Sequence, residues 1–176
     1  MRSVLALLLL ALAAGCGTQS PPPPPPAAAT TQSEFNPTDA AWLELMIPMD
    51  EQFLGILALA PTHSANPAVR RLAAELTTAH RTELKQLVAL RNQAGLPAGN
   101  PHQGHDMPGM MTQEEIVALS NLRGAPFDQI LVREVKDHLA QSTLVTKSVK
   151  AAGRAPGVRK LATQIEQTRL EQNSIV

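Results

Sequence analysis

The segment Pro67-Ala-Val-Arg-Arg-Leu-Ala returns as Pro156-Gly-Val-Arg-Lys-Leu-Ala, 89 positions later. The same offset, without a gap, carries Leu76 onto Ile165, Asp39 onto Asp128, Trp42 onto Leu131, Met46 onto Val135 and Met49 onto His138. A register kept over both segments marks an internal duplication, in which each unit alone leaves an apolar face that the other must cover.

The repeated unit reads as a helical hairpin. Trp42, Met46, Met49, Phe53, Ile56 and Ala60 step by three or four, and so do Leu131, Val135, His138, Ser142, Val145 and Val149. Pro67 and Pro156 stand where a following helix has its first turn, with Asn66 as an N-cap. The second helices are predicted from about Pro67 to Asn92, carrying Val69, Leu72, Leu76, Leu84 and Leu87, and from about Pro156 to Gln172, carrying Val158, Leu161 and Ile165. A short helix near Thr112 to Leu122 opens on a capping pattern, Thr112-Gln-Glu-Glu. With four aromatic residues and no tyrosine, the core must come from Leu, Ile, Val, Ala and Met. The expected fold is all-α, a four-helix bundle of two hairpins, repeats about 38–94 and 126–176, joined by a connector over 95–125.

Ahead of this domain the chain reads as an export signal. Met1-Arg2 is a short basic start, Val4 to Leu12 is aliphatic, and Ala13-Ala14-Gly15-Cys16 follows. The apolar run is shorter than the roughly 20 residues a membrane-spanning helix needs. Small residues before the only cysteine resemble a bacterial lipobox, with Ala13 in place of the usual leucine. The alternative is an ordinary cleaved signal with an incidental thiol. The lipobox is preferred because it gives the unpaired Cys16 a use: diacylation that holds the protein on a membrane. Residues 1–15 are then a lipoprotein signal peptide. Residues 16–36, with six consecutive prolines at Pro21–Pro26, form a disordered stalk. Fifteen basic against fifteen acidic residues point neither to nucleic acid nor to an electrostatic membrane surface, and the aromatic rings are too few for a base-stacking platform.

Asp39-x-x-Trp-Leu-x-x-Met-Ile-Pro, a Met-x-Gly-Met connector, Phe127-Asp-x-x-Leu-Val and the two Pro-x-Val-Arg-x-Leu-Ala helices together resemble the bacterial domain of unknown function family 305. The resemblance runs from about Pro37 to the C-terminus. It implies a ferritin-like four-helix bundle, usually exported, in a family that includes copper-binding periplasmic proteins. It also implies a Met-Ile-x-His-His motif in each repeat. Here the first copy has Met49-Asp50 where the histidines belong, and the second keeps only His138, before Leu139.

Two groups of residues are candidate soft-metal ligands. The connector gathers His102, His105, Met107, Met110 and Met111 with Asp106 on a segment interrupted by glycine and proline. Imidazoles suit copper(II) and thioethers copper(I). The same methionines could instead cap the end of the bundle. The helices add His138, with Met49 at the equivalent place, and His80 between Leu76 and Leu84; each of these could equally be a core residue. His63, after Pro61, is expected to be solvated. No Glu-x-x-His, His-Glu-x-x-His, phosphate loop or nucleophile motif occurs, so an enzyme is not expected. Two readings follow. One is a lipid-anchored envelope protein that binds or buffers copper or a similar soft metal; the other is a structural or protein-interaction module at the cell surface that has lost its metal site.

Overall fold

The computed structural model describes residues 34–176. The expected signal peptide, Cys16 and all of the proline-rich stalk but residues 34–36 lie outside them. Four long helices, α1 (Pro37–Leu57), α3 (Pro67–Gln93), α5 (Ala125–Ala152) and α6 (Pro156–Asn173), are accompanied by two short ones, α2 (Ala60–His63) and α4 (Gln113–Asn121). Among the described residues no helix is long and apolar enough to cross a membrane.

Local chemistry sets the helix starts. Asn36 and Asp39 form a reciprocal capping box at α1, and Thr112 and Glu115 do the same at α4. Asn66 caps α3 through the Ala68 amide, and Pro67 and Pro156 take first-turn positions, where their missing N–H costs nothing. The hairpins α1/α3 and α5/α6 then pack with α1 against α5 and α3 against α6, closing an all-α four-helix bundle of the ferritin-like kind.

Asp39 joins the two repeats. Besides accepting from Asn36 N, its buried carboxylate accepts from the Arg154 and Ala155 amides at 3.0 Å, capping the turn into α6. The Asn36 side chain donates to the Ala152 carbonyl at 2.8 Å. The N-terminus of α1 is thus fixed beside the α5–α6 turn, which makes α1 and α5 antiparallel. Asp39→Ala leaves those amides unsatisfied in a dry site and is expected to cost about 2–3 kcal/mol. Chemical denaturation of the variant checks this; a loss typical of an exposed residue contradicts the capping role.

Two details differ from the sequence reading. His63 is buried rather than solvated: its ring bonds Thr62 Oγ1 at 2.8 Å and the Ser120 carbonyl at 3.0 Å and lies against Phe127. Its own carbonyl accepts from the Gly124 amide, so His63 ties the α2 turn to the end of α4. On α5, Val145 is only half-buried and Thr146 takes the inward seat, because the buried stripe advances by four residues from Ser142 before stepping three to Val149.

The core is not one continuous apolar mass. One cluster gathers Phe53, Leu57, Leu76, Phe127, Leu131, Val135 and Leu139; another gathers Trp42, Met46, Met49, Leu87, Val149, Val158 and Ile165. On α1, Asp50 lies between the two memberships. On α3 His80 and Glu83 do so, and on α5 Ser142. Buried polar groups therefore form a layer across the bundle, and Arg169 of α6 reaches into it.

Candidate metal centre

Asp50, His80 and His138 meet in this layer, all three buried. One ligand-type atom from each lies within 4.8 Å of the other two. His80 Nδ1 is 2.9 Å from Asp50 Oδ1, and His138 Nε2 is 3.7 Å from the same oxygen. Phe53 stacks on the His138 ring, with centroids 3.9 Å apart and planes nearly parallel, and meets His80 edge-on. Phe53 thus packs against both rings, and the hydrogen-bond partner of His80 is Asp50 itself.

Arg169 closes the far side. Its guanidinium is fully buried and donates to both Glu83 oxygens at 3.0 and 2.7 Å, to Gln172 Oε1 at 3.0 Å and to Ser142 Oγ at 2.8 Å. Asp50 Oδ1 is 3.9 Å from Arg169 Nη2. Among the described residues, Asp50 Oδ2, His80 Nε2 and His138 Nε2 are buried with no hydrogen-bond donor or acceptor serving them. Trp42 Nε1, Asp128 Oδ1, Thr146 Oγ1 and Gln172 Nε2 are likewise without a partner, but three such atoms on the residues of one cluster are what a shared ion would serve.

Burial dominates the electrostatics. It pushes the Asp50 carboxyl up to about 7 against the pull of Arg169. It pushes His80 down to about 3, with Arg169 adding to the effect. His138 is held well below the ordinary imidazole value by burial first and by His80 and Arg169 next. Both rings are neutral at physiological pH, the form in which imidazole binds metals. A carboxylate with two neutral imidazoles is a donor set for copper, zinc or a related transition ion.

The connector covers this centre. Gln52 of α1 exchanges two hydrogen bonds with the Met111 backbone, at 2.7 and 2.9 Å. Gly109 has φ +78, and a Cβ there would fall 2.5 Å from Gln141 Cβ on α5. Only glycine combines that backbone with that approach. Gly109→Ala is expected to cost about 2 kcal/mol from left-handed strain and the clash. Amide exchange should rise first over Met107–Met111; protection unchanged there would show that the segment is not seated as described.

Met111 is buried in the first apolar cluster, and Met110 packs half-buried on the second. Met107 is half-buried and His102 likewise, while His105 is exposed. The His102 and His105 rings are 6.4 Å apart beside a cavity of about 330 Å³ that Asp106, Met110, Met111 and Glu114 also line. The cluster of Asp50, His80 and His138 includes neither His102 nor His105. Met49 lies with Met46 and Trp42 in the second apolar cluster.

The family model for the domain of unknown function DUF305 matches residues 39–174. The chain belongs to the DUF305 family. Its fold matches a DUF305 fragment from Deinococcus radiodurans at 22% identity and TM-score 0.70, over 80% of this chain and 94% of that one. A putative secreted DUF305 protein from Streptomyces coelicolor matches at 19% identity and TM-score 0.67, over 78% and 89%. CopM in its Cu(I)-bound form matches at 18% identity and TM-score 0.64, over 78% and 91%. At these identities the likeness speaks for the fold alone. No curated protein matches the chain.

Asp50 and His138, from the Met49-Asp50 and His138-Leu139 positions of the two repeats, meet at 3.7 Å. His80 completes the cluster from α3. From the sequence Asp50 reads only as a lost histidine, and Glu83 and Arg169 are not singled out, although each carries a signal. Asp50 is four residues from Met46, Glu83 four from Leu87 and Arg169 four from Ile165, so three charges sit on three apolar stripes. A charge on a stripe must be buried with a partner or escape to water.

Proposed function

We propose that this DUF305 protein binds a soft or borderline metal ion, copper foremost, in the buried centre formed by Asp50, His80 and His138, as a lipid-anchored protein of the cell envelope. The reading is carried by a buried carboxylate and two buried imidazoles whose ligand-type atoms lie within 4.8 Å of one another, each residue having one buried polar atom without a hydrogen-bond partner. The Cu(I)- and Cu(II)-bound states named for CopM, and the secreted character named for the Streptomyces protein, lend it support. Anchoring rests on Cys16 and the signal-like segment before it. His102, His105, Met107, Met110 and Met111 serve as weaker outer ligands on the connector, and Met49 stands by as a core thioether. The protein holds an ion rather than transforming a substrate.

One observation favours the structural alternative. Arg169 brings a positive charge within 3.9 Å of Asp50 and repels a cation there. Titration of the full chain with copper(I) against a chromophoric chelator decides between the two. One tight equivalent is expected, lost in His80→Ala and His138→Ala and retained when His102 and His105 are replaced together. No tight uptake by the parent protein overturns the metal reading in favour of a structural module.

A further inference from the structure

Charge is unevenly placed on a chain that is neutral overall. Lys150, Arg154, Arg159 and Lys160 line a cleft of about 340 Å³ at the α5–α6 turn, with Pro156 and Thr163. Arg154, Arg159 and Lys160 are exposed, as is Lys147 one turn back along α5. Of the acids nearby, half-buried Glu166 pairs with Lys150 and Asp39 is buried on backbone amides, while Glu34 is exposed two residues before Asn36. Basic side chains thus outnumber carboxylates at this end, with Lys147, Arg159 and Lys160 the exposed lysines and arginine beside the turn's own Arg154. About 20 Å along α5 from Lys150, the groove beside the connector is lined instead by Asp106, Glu115, Glu134 and Asp137, with Arg133 held by Glu134.

The chain enters the bundle at this basic end. Asn36 is bonded to the Ala152 carbonyl, and Asp39 to the turn itself. Twenty residues separate Cys16 from Asn36, a reach of at most about 70 Å when fully extended. The tether therefore joins the bundle beside the basic cluster.

We infer that the α5–α6 turn, through Lys147, Lys150, Arg154, Arg159 and Lys160, is a docking surface for anionic phospholipid headgroups. It holds the bundle end-on, with the acidic groove directed away from the lipid and the metal centre about midway along the bundle. Each basic side chain near a negatively charged lipid surface strengthens binding about fivefold, and a polybasic patch is the usual second signal beside a lipid anchor. The inference rests on the anchored location proposed above and is independent of metal binding.

The full chain carrying Cys16→Ser, which cannot be acylated, separates the patch from the anchor. Co-sedimentation with vesicles containing phosphatidylglycerol is expected at low salt and not with vesicles of phosphatidylcholine alone. Replacing Lys147, Arg159 and Lys160 together by glutamine should weaken it about a hundredfold, with helicity by circular dichroism unchanged. The same replacement of Arg70 and Arg71, at the other end of the bundle, should leave it intact. Equal binding by the triple variant, or binding blind to lipid charge, overturns the inference. So does loss of binding to inorganic phosphate at constant ionic strength, which assigns the cleft to a free oxyanion. If Cys16 proves unacylated in the native membrane while the vesicle result holds, the anchor fails and the surface stands.

Discussion

Arg169→Leu is expected to lower stability by about 3–5 kcal/mol, among the largest losses a single substitution in this bundle can give. Removing one member of a buried ion pair strands the other charge in a medium that solvates it poorly. Here the stranded group is Glu83, whose carboxyl burial already raises against the pull of Arg169. Ser142 Oγ and Gln172 Oε1 lose their donor at the same time. For a domain of this size the melting midpoint should fall by roughly 10 °C. The double variant Arg169→Leu with Glu83→Leu should recover much of the loss, since replacing a whole buried pair by apolar groups is often close to neutral. A differential scanning calorimetry cycle over the four proteins measures the coupling. Additive losses would mean that the two residues do not act as a pair.

The same substitution bears on the metal reading with opposite sign. Arg169 competes with any cation for Asp50, so if the variant is still folded in the cold, its copper affinity should rise while its stability falls. A purely structural polar layer predicts only the loss.

The sequence made the scaffold legible and left the centre half-read, for one physical reason. Helices and caps follow from neighbours in the chain: the Pro67 and Pro156 starts, the Thr112–Glu115 box and the apolar steps from Trp42 to Ile56 appear in the structure as expected, while Ala60 falls beyond the end of α1 and opens α2. A buried polar layer is instead a relation among four helices. The duplication placed Met49 opposite His138 by register, yet the carboxylate that approaches His138 belongs to the next residue, Asp50, one step of about 100° around α1. Asp50 read as a lost histidine because its partners His80 and Arg169 lie 30 and 119 residues away in the chain. His63 was read as solvated for a similar reason: the Ser120 carbonyl that receives it comes from the connector helix, which no local pattern ties to the α2 turn.

Metal loading should raise the melting midpoint of the parent protein and not that of Asp50→Asn or His138→Gln, and the effect should depend on pH in a defined direction. A ligand present at a thousand times its dissociation constant stabilises the folded state by about 4 kcal/mol, so the shift is large enough to read directly. Without metal, the raised Asp50 carboxyl contributes stability that is complete below its ordinary value of 3.8 and is lost as the pH climbs through about 7. The depressed His80 imidazole acts the other way: its contribution is present above 6.5 and lost as the pH falls toward about 3. An incoming ion must displace the Asp50 proton but meets imidazoles that are already neutral. Affinity should therefore climb about tenfold per pH unit below the raised Asp50 value and level off above it. Asp50→Asn should flatten the slope along with reducing the affinity. A slope that persists in that variant would move the titrating ligand to the connector, where His102 and His105 remain, and would strip the buried centre of its role.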